Sequence, residues 1–217
     1  MTCRTTDHFL GCFIDVEIIR RLRALAVEIL GPDRVRVRWE KYLENPLSFD
    51  ALSAADSTVL ARQILYEDRC RFTGRAAEQI APLAADMTIE QIAAQNCKKA
   101  ILDAKGVHID PAGNVFSGQC SGILLGDVHT TALEMLWQEF DPPNQPFWSV
   151  LFEFGPAGLL AQATSAGYKP LPRYASKCHL CSDIRRFFFD KGIFLSIIAV
   201  SYTHLRAHET VLDLVCR

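Results

Sequence analysis

The sequence predicts an α/β protein in two parts that meet near residue 80. Three observations lead there. Helix and strand periods alternate through the first part, in the order helix–strand–helix–strand that belongs to a parallel α/β unit. A turn-marked β-hairpin pattern lies in the second part. The cysteines of that second part cluster around the hairpin and near the end.

In the first part, Ile18, Leu22, Leu25, Ala26 and Ile29 fall at helical spacing. They predict a helix from a cap at Asp15 to about Leu30, stopped by Gly31-Pro32. Arg34 to Trp39 then alternates, with Val35, Val37 and Trp39 on one face and Arg34, Arg36 and Arg38 on the other, a strand signature. Asn45-Pro46 marks a turn. A second helix fits Ser57 to Glu67 with Asp56 as cap, and Cys70 to Phe72 fits a short strand before Gly74.

After Pro82 the pattern changes. Thr88-Ile89-Glu90-Gln91 is a capping box that opens a helix reaching about Ala104. Val107 to Phe116 reads as a hairpin, with Asp110-Pro111-Ala112-Gly113-Asn114 as its turn. Thr131 to Phe140 reads as a helix with Leu133, Leu136, Trp137 and Phe140 inward. Asp141 to Pro146 reads as a proline-rich connector. One more helix follows Gly155-Pro156 and ends near Gly167, and the last starts around Cys181 and ends at Gly192.

Composition narrows the function classes. Of 217 residues 49% are apolar, enough for a sizeable core, and the net charge is −2. No basic patch of the size that phosphate-backbone binding needs is present, so nucleic acid is not an expected partner. The longest apolar runs, such as Ile193 to Val200, are too short for a bilayer, and no signal peptide is visible. A cytoplasmic location follows as an expectation, and there thiols stay reduced. The tail from Val200 to Thr210 reads as one frame of a widely used transposase sequencing adapter, so residues 200–217 are expected to be non-biological.

Eight cysteines then pose a metal or redox question, and seven of them precede residue 200. Cys178-His179-Leu180-Cys181 is the sharpest local feature, because C-x-x-C turns two sulfurs toward one centre. A thioredoxin-type redox role would want it just after a strand of a βαβ fold, and here it follows a proline-containing loop. A tetrahedral ion or a cubane cluster wants four ligands. Cys97 precedes the hairpin and Cys120 follows it, and a hairpin brings its two ends together. The candidate metal set is therefore Cys97, Cys120, Cys178 and Cys181, with His108 as the runner-up for the fourth place. Cys12 and Cys70 read as small core hydrophobes. No dinucleotide fingerprint, P-loop or nucleophile elbow appears.

Three segments together carry a resemblance: Gly106-Val-His-Ile-Asp-Pro-Ala-Gly-Asn-Val115, Gly118-Gln-Cys-Ser-Gly-Ile-Leu-Leu-Gly126 and Tyr174-Ala-Ser-Lys-Cys-His-Leu-Cys181. They resemble the C-terminal part of radical S-adenosylmethionine (radical SAM) proteins, in the region of a SPASM or Twitch-like extension. The resemblance covers about residues 74–190. It implies an auxiliary [4Fe–4S] cluster on Cys97, Cys120, Cys178 and Cys181, serving electron transfer or structural support. It also implies that residues 1–80 are a partial (β/α) barrel remnant, 81–199 the auxiliary-cluster region, and 200–217 adapter. In such a barrel the Arg34/Arg36/Arg38 row and Arg75, at an expected strand end, would be candidate contacts, and Asp7-His8-Phe9 a loose match to a strand end. The family's C-x3-C-x2-C motif for the catalytic cluster is absent from this chain. The expectation is therefore a fragment, with S-adenosylmethionine used by the intact parent on an unknown substrate of peptide or small-molecule class. Two alternatives stay open: a structural zinc module on the same four cysteines, and a metal-free α/β fragment whose cysteines merely pack.

Overall fold

The computed structural model describes residues 16–35, 49, 52–67, 70–104, 106–110, 112–120 and 122–198. Outside these lie the proposed Asp15 cap, most of the Arg34–Trp39 strand, the Asn45-Pro46 turn, Asp7-His8-Phe9, Cys3, Cys12 and the 200–217 tail. The described residues form a mixed α/β structure with nine α-helices and one three-stranded antiparallel sheet. No helix among them is long and apolar enough to cross a membrane. The chain divides into two compact units, one running to Cys70 and the other beginning at Arg71.

The first unit contains α1 (Val16–Leu30) and α2 (Ala54–Tyr66). Helix α1 ends where Gly31 turns to φ +84° and Pro32 opens a 3-10 turn that includes Arg34. Helix α2 starts three residues earlier than its apolar spacing suggests. Ser53 is the cap, its Oγ accepting from the Asp56 N–H at 3.1 Å, and Asp56 stands inside the first turn. Ala61, Ile64 and Leu65 are buried. Cys70 to Phe72 is irregular and not a strand.

The second unit carries the rest. Helix α3 (Gly74–Gln79) places Arg75 in a helical first turn, not at a strand end. The Thr88/Gln91 capping box is present in full at the start of α4 (Ile89–Ala93). That helix stops at once, and a separate helix α5 (Lys98–Leu102) follows with Cys97 as its N-terminal cap position. Local hydrogen bonding explains the break. Asn96 Oδ1 accepts from the Lys98 N–H at 3.2 Å, and the Cys97 N–H leaves the helical ladder to donate to the Leu151 carbonyl at 2.9 Å.

The hairpin forms from β1 (Val107–Ile109) and β2 (Asn114–Ser117), with Val107 opposite Ser117 and Ile109 opposite Val115. Asp110 builds the turn. Its Oδ1 accepts from Ala112 N–H at 2.9 Å and Asn114 N–H at 3.0 Å, and Gly113 takes φ +85°. Strand β3 (Leu124–Asp127) adds to β2 antiparallel, with a register shift between Val115 and Phe116.

Helix α6 (Leu133–Gln138) has no buried residue. Trp137 is 44% exposed and Leu133 38%, so the expected inward set is only partly realised. Helix α7 (Pro146–Phe154) occupies a stretch read above as the end of a connector and its sequel. Pro146 stands at the first helical position, where its missing N–H costs nothing. Phe147, Trp148, Leu151 and Phe152 of α7 are buried in the unit's core. A 3-10 turn over Pro156–Leu159 leads into the short α8 (Leu160–Ser165), and Gly167 then turns the chain.

Helix α9 (Lys177–Asp190) begins earlier than expected, so the whole C-x-x-C lies inside it. Ser176 is its cap, Oγ accepting from the His179 N–H at 3.3 Å. Leu180, Ile184 and Phe188, spaced four apart, are fully buried in the unit's core. Each such side chain contributes about 1.5–3 kcal/mol relative to an exposed one. Just before α9, Tyr174 pairs with Met87 through two backbone hydrogen bonds of 2.9 Å, tying the start of α9 to the segment before α4.

Candidate metal centre

All four candidate cysteines lie in the second unit and are free thiols. They arrive from three places. Cys97 sits in the break between α4 and α5, buried, with its backbone bonded to α7. Cys120 lies in the tight turn joining β2 to β3. There its N–H donates to the Ser117 carbonyl and its own carbonyl accepts from Ile123, each at 3.2 Å. Cys178 and Cys181 occupy the first turns of α9, three residues apart and so on neighbouring positions of one helix face.

Electrostatics link the set. Burial pushes the Cys97 thiol well above its ordinary value, and the charges of Cys181, Cys120 and Cys178 push it further. Cys120 is pushed up to about 12, first by burial and then by Cys181 and Cys178. Burial likewise raises Cys181, with Cys178 adding and Arg185 opposing. Like charges influence one another this way only at short range in a desolvated setting. Among the described residues no group of three or more His, Cys, Asp or Glu is gathered so as to hold a single metal ion as it stands.

Three cations stand by the cysteine-bearing backbone. Lys177 Nζ donates to the Asn96 carbonyl at 2.6 Å, next to Cys97. Arg71 donates from both terminal nitrogens to the carbonyl and side-chain oxygen of Gln119, next to Cys120. Arg185 is buried, and its Nε donates to the Cys181 carbonyl at 3.4 Å. None of the three is marked by a sequence motif. Adjacency of Lys177 to Cys178 was visible; the folding-back of Arg71 onto Gln119, 48 residues on, was not.

A cavity of about 240 Å³ is lined in part by His179, Ser182, Asp183, Arg185 and Arg186 of α9. Its polar groups already have partners. His179 Nδ1 accepts from the Ala175 N–H at 3.1 Å, and burial holds the imidazole below its usual range, which favours the neutral form. Asp183 Oδ2 accepts from the hydroxyls of Tyr168 and Tyr174, which also bond each other at 2.7 Å. Arg186 pairs with Glu78. His179, between the two cysteines in sequence, is thus committed to the Ala175 backbone and packs edge-on to Tyr174.

His108 lies on β1 opposite Phe116, with its ring beside Gly118. Cys70 is buried as expected, yet it is disulfide-bonded and not a free packing thiol. The side chains of Arg34 and Arg75 fall outside the described ones, as do Arg36 and Arg38 altogether. Comparison with family models, with curated proteins and with solved structures finds no match to this chain.

Proposed function

We propose that the second unit is an auxiliary-cluster module of the radical SAM type, and that Cys97, Cys120, Cys178 and Cys181 hold a [4Fe–4S] cluster. The observation that carries the reading is that one compact unit holds four free thiols, supplied by loops and a helix that lie far apart in sequence. The donor set suits the group chemically, since such clusters are held by four thiolates. Bound, the cluster would supply a one-electron store or a structural tie. The chain's own residues do the rest: α7 fixes Cys97 through Leu151, the Ser117–Ile123 turn presents Cys120, and Leu180 anchors the α9 turn between Cys178 and Cys181. On the same reading the first unit belongs to a partial (β/α) barrel, the protein is cytoplasmic, and its parent activity uses S-adenosylmethionine on a peptide or small molecule.

The test is anaerobic reconstitution of the full chain with iron and sulfide, followed by its visible spectrum and its iron, sulfide and zinc content. The expected result is about four irons and four sulfides per chain, with a broad visible absorption that Cys178→Ala abolishes. Stoichiometric zinc with no stable colour would replace this reading with a structural zinc module on the same four cysteines. Folded protein that retains neither would leave a metal-free α/β unit.

A further inference from the structure

Each segment that presents a candidate ligand is tied to a cation through backbone. Lys177 holds the carbonyl of Asn96, which precedes Cys97. Arg71 holds the carbonyl of Gln119, which precedes Cys120. Arg185 holds the carbonyl of Cys181 itself and also reaches Ser182 Oγ at 3.4 Å. The three come from different places, the linker before α3 and two positions of α9, so helix periodicity alone does not produce the arrangement.

We propose that Arg71, Lys177 and Arg185 form a cationic collar that sets the reduction potential of the centre held by Cys97, Cys120, Cys178 and Cys181. This rests on the cluster reading above. The four thiolates would outweigh the positive charge of the iron–sulfur core, so the centre would be anionic with three cations beside it. Accepting one electron from an external donor adds one further negative charge with no bond made or broken. Fixed cations within a few ångströms of the cysteine backbone favour that reduced state. The hydrogen bonds matter because they hold the charges in place; a free surface lysine would be screened and mobile. The three are positioning residues, acting through charge and not as ligands.

The experiment is a mediator-coupled redox titration of the reconstituted full chain, reduced with dithionite and followed by visible absorption and by electron paramagnetic resonance. Arg71→Met and Lys177→Met should each lower the midpoint, shifting the reduced-to-oxidised ratio at a fixed potential by about tenfold, which is about 59 mV for one electron. Arg71→Lys, which keeps the charge, should recover most of that shift. Arg185→Met should act in the same direction; because Arg185 is buried, Arg71 and Lys177 carry the test if that variant fails to fold. A cluster that assembles normally in Arg71→Met and Lys177→Met with an unmoved midpoint overturns the collar and leaves the cluster reading intact. Failure of the wild-type chain to hold iron and sulfide overturns both.

Discussion

The two halves of the cysteine set are built on different principles. Cys178 and Cys181 stand on one 14-residue helix whose apolar row, Leu180, Ile184 and Phe188, is fully buried. Their spacing is fixed by helix geometry, and their position by the core. Cys97 and Cys120 stand in irregular backbone, placed by single hydrogen bonds from Cys97 N–H to Leu151 and around the Ser117–Ile123 turn. The helical half is secured by packing spread over many atoms. The loop half depends on a few directed contacts, so it is the half that a small local change can displace.

That contrast can be pressed experimentally. The largest effect should come from Leu180→Ala. It removes a fully buried side chain between the two helical cysteines, and a loss of about 2–5 kcal/mol is expected in chemical denaturation. A loss within the ordinary surface range would mean that α9 is not what holds the site.

Gly155→Ala should act on the other half. Gly155 has φ +65°, and a Cβ there would meet the Gln95 carbonyl at 2.3 Å and Asn96 Cα at 3.2 Å. We expect more than about 1 kcal/mol of destabilisation. Faster alkylation of Cys97 by a thiol reagent should accompany it, with Cys178 little changed. Equal changes at both cysteines would erase the distinction between the halves.

The smallest effect is a pH dependence of the metal-free chain. Buried thiols at Cys97 and Cys120 titrate above their ordinary value of 9.0, Cys120 at about 12. The folded chain thus binds more protons than the unfolded one between these values, and stability must fall as pH rises through that window. Thermal midpoints should be level up to about pH 8.5 and then decline. In a Cys97→Ala/Cys120→Ala variant the decline should be visibly weaker, and an unchanged decline would place its origin elsewhere.

Legibility from sequence followed the same division. The hairpin was readable because Asp110 and Gly113 have a local job that any tertiary context would keep. The Thr88 capping box was readable for the same reason. The C-x-x-C is the more conspicuous signal, yet Ser176 just before it is the cap that starts α9. Helix α7 was missed because prolines at 142, 143 and 146 suggested a connector, although the last of them is a helix start. The expected continuous helix from Thr88 to Ala104 is split by a long-range bond to Leu151, which no window of a dozen residues contains. The exposed Trp137 and Leu133 show the converse: helical periodicity gives a face, and only a neighbour makes it a core. The four cysteines could be nominated by type and spacing. The cations beside them could not, since Arg71 and Lys177 gain meaning only from the carbonyls they reach.

The pairing of Tyr174 with Met87 joins segments that the chain makes at different times. Translation at about 5–20 residues per second puts roughly 3–12 s between Cys120 and Cys181. Through that interval Cys97 and Cys120 have neither the α9 cysteines nor the Ile184–Phe188 surface to cover them. The nascent chain therefore carries two open thiols that belong together with a helix not yet synthesised. On the cluster reading, a factor that delivers metal, or that shields thiols from oxidants, would meet the loop half of the site first.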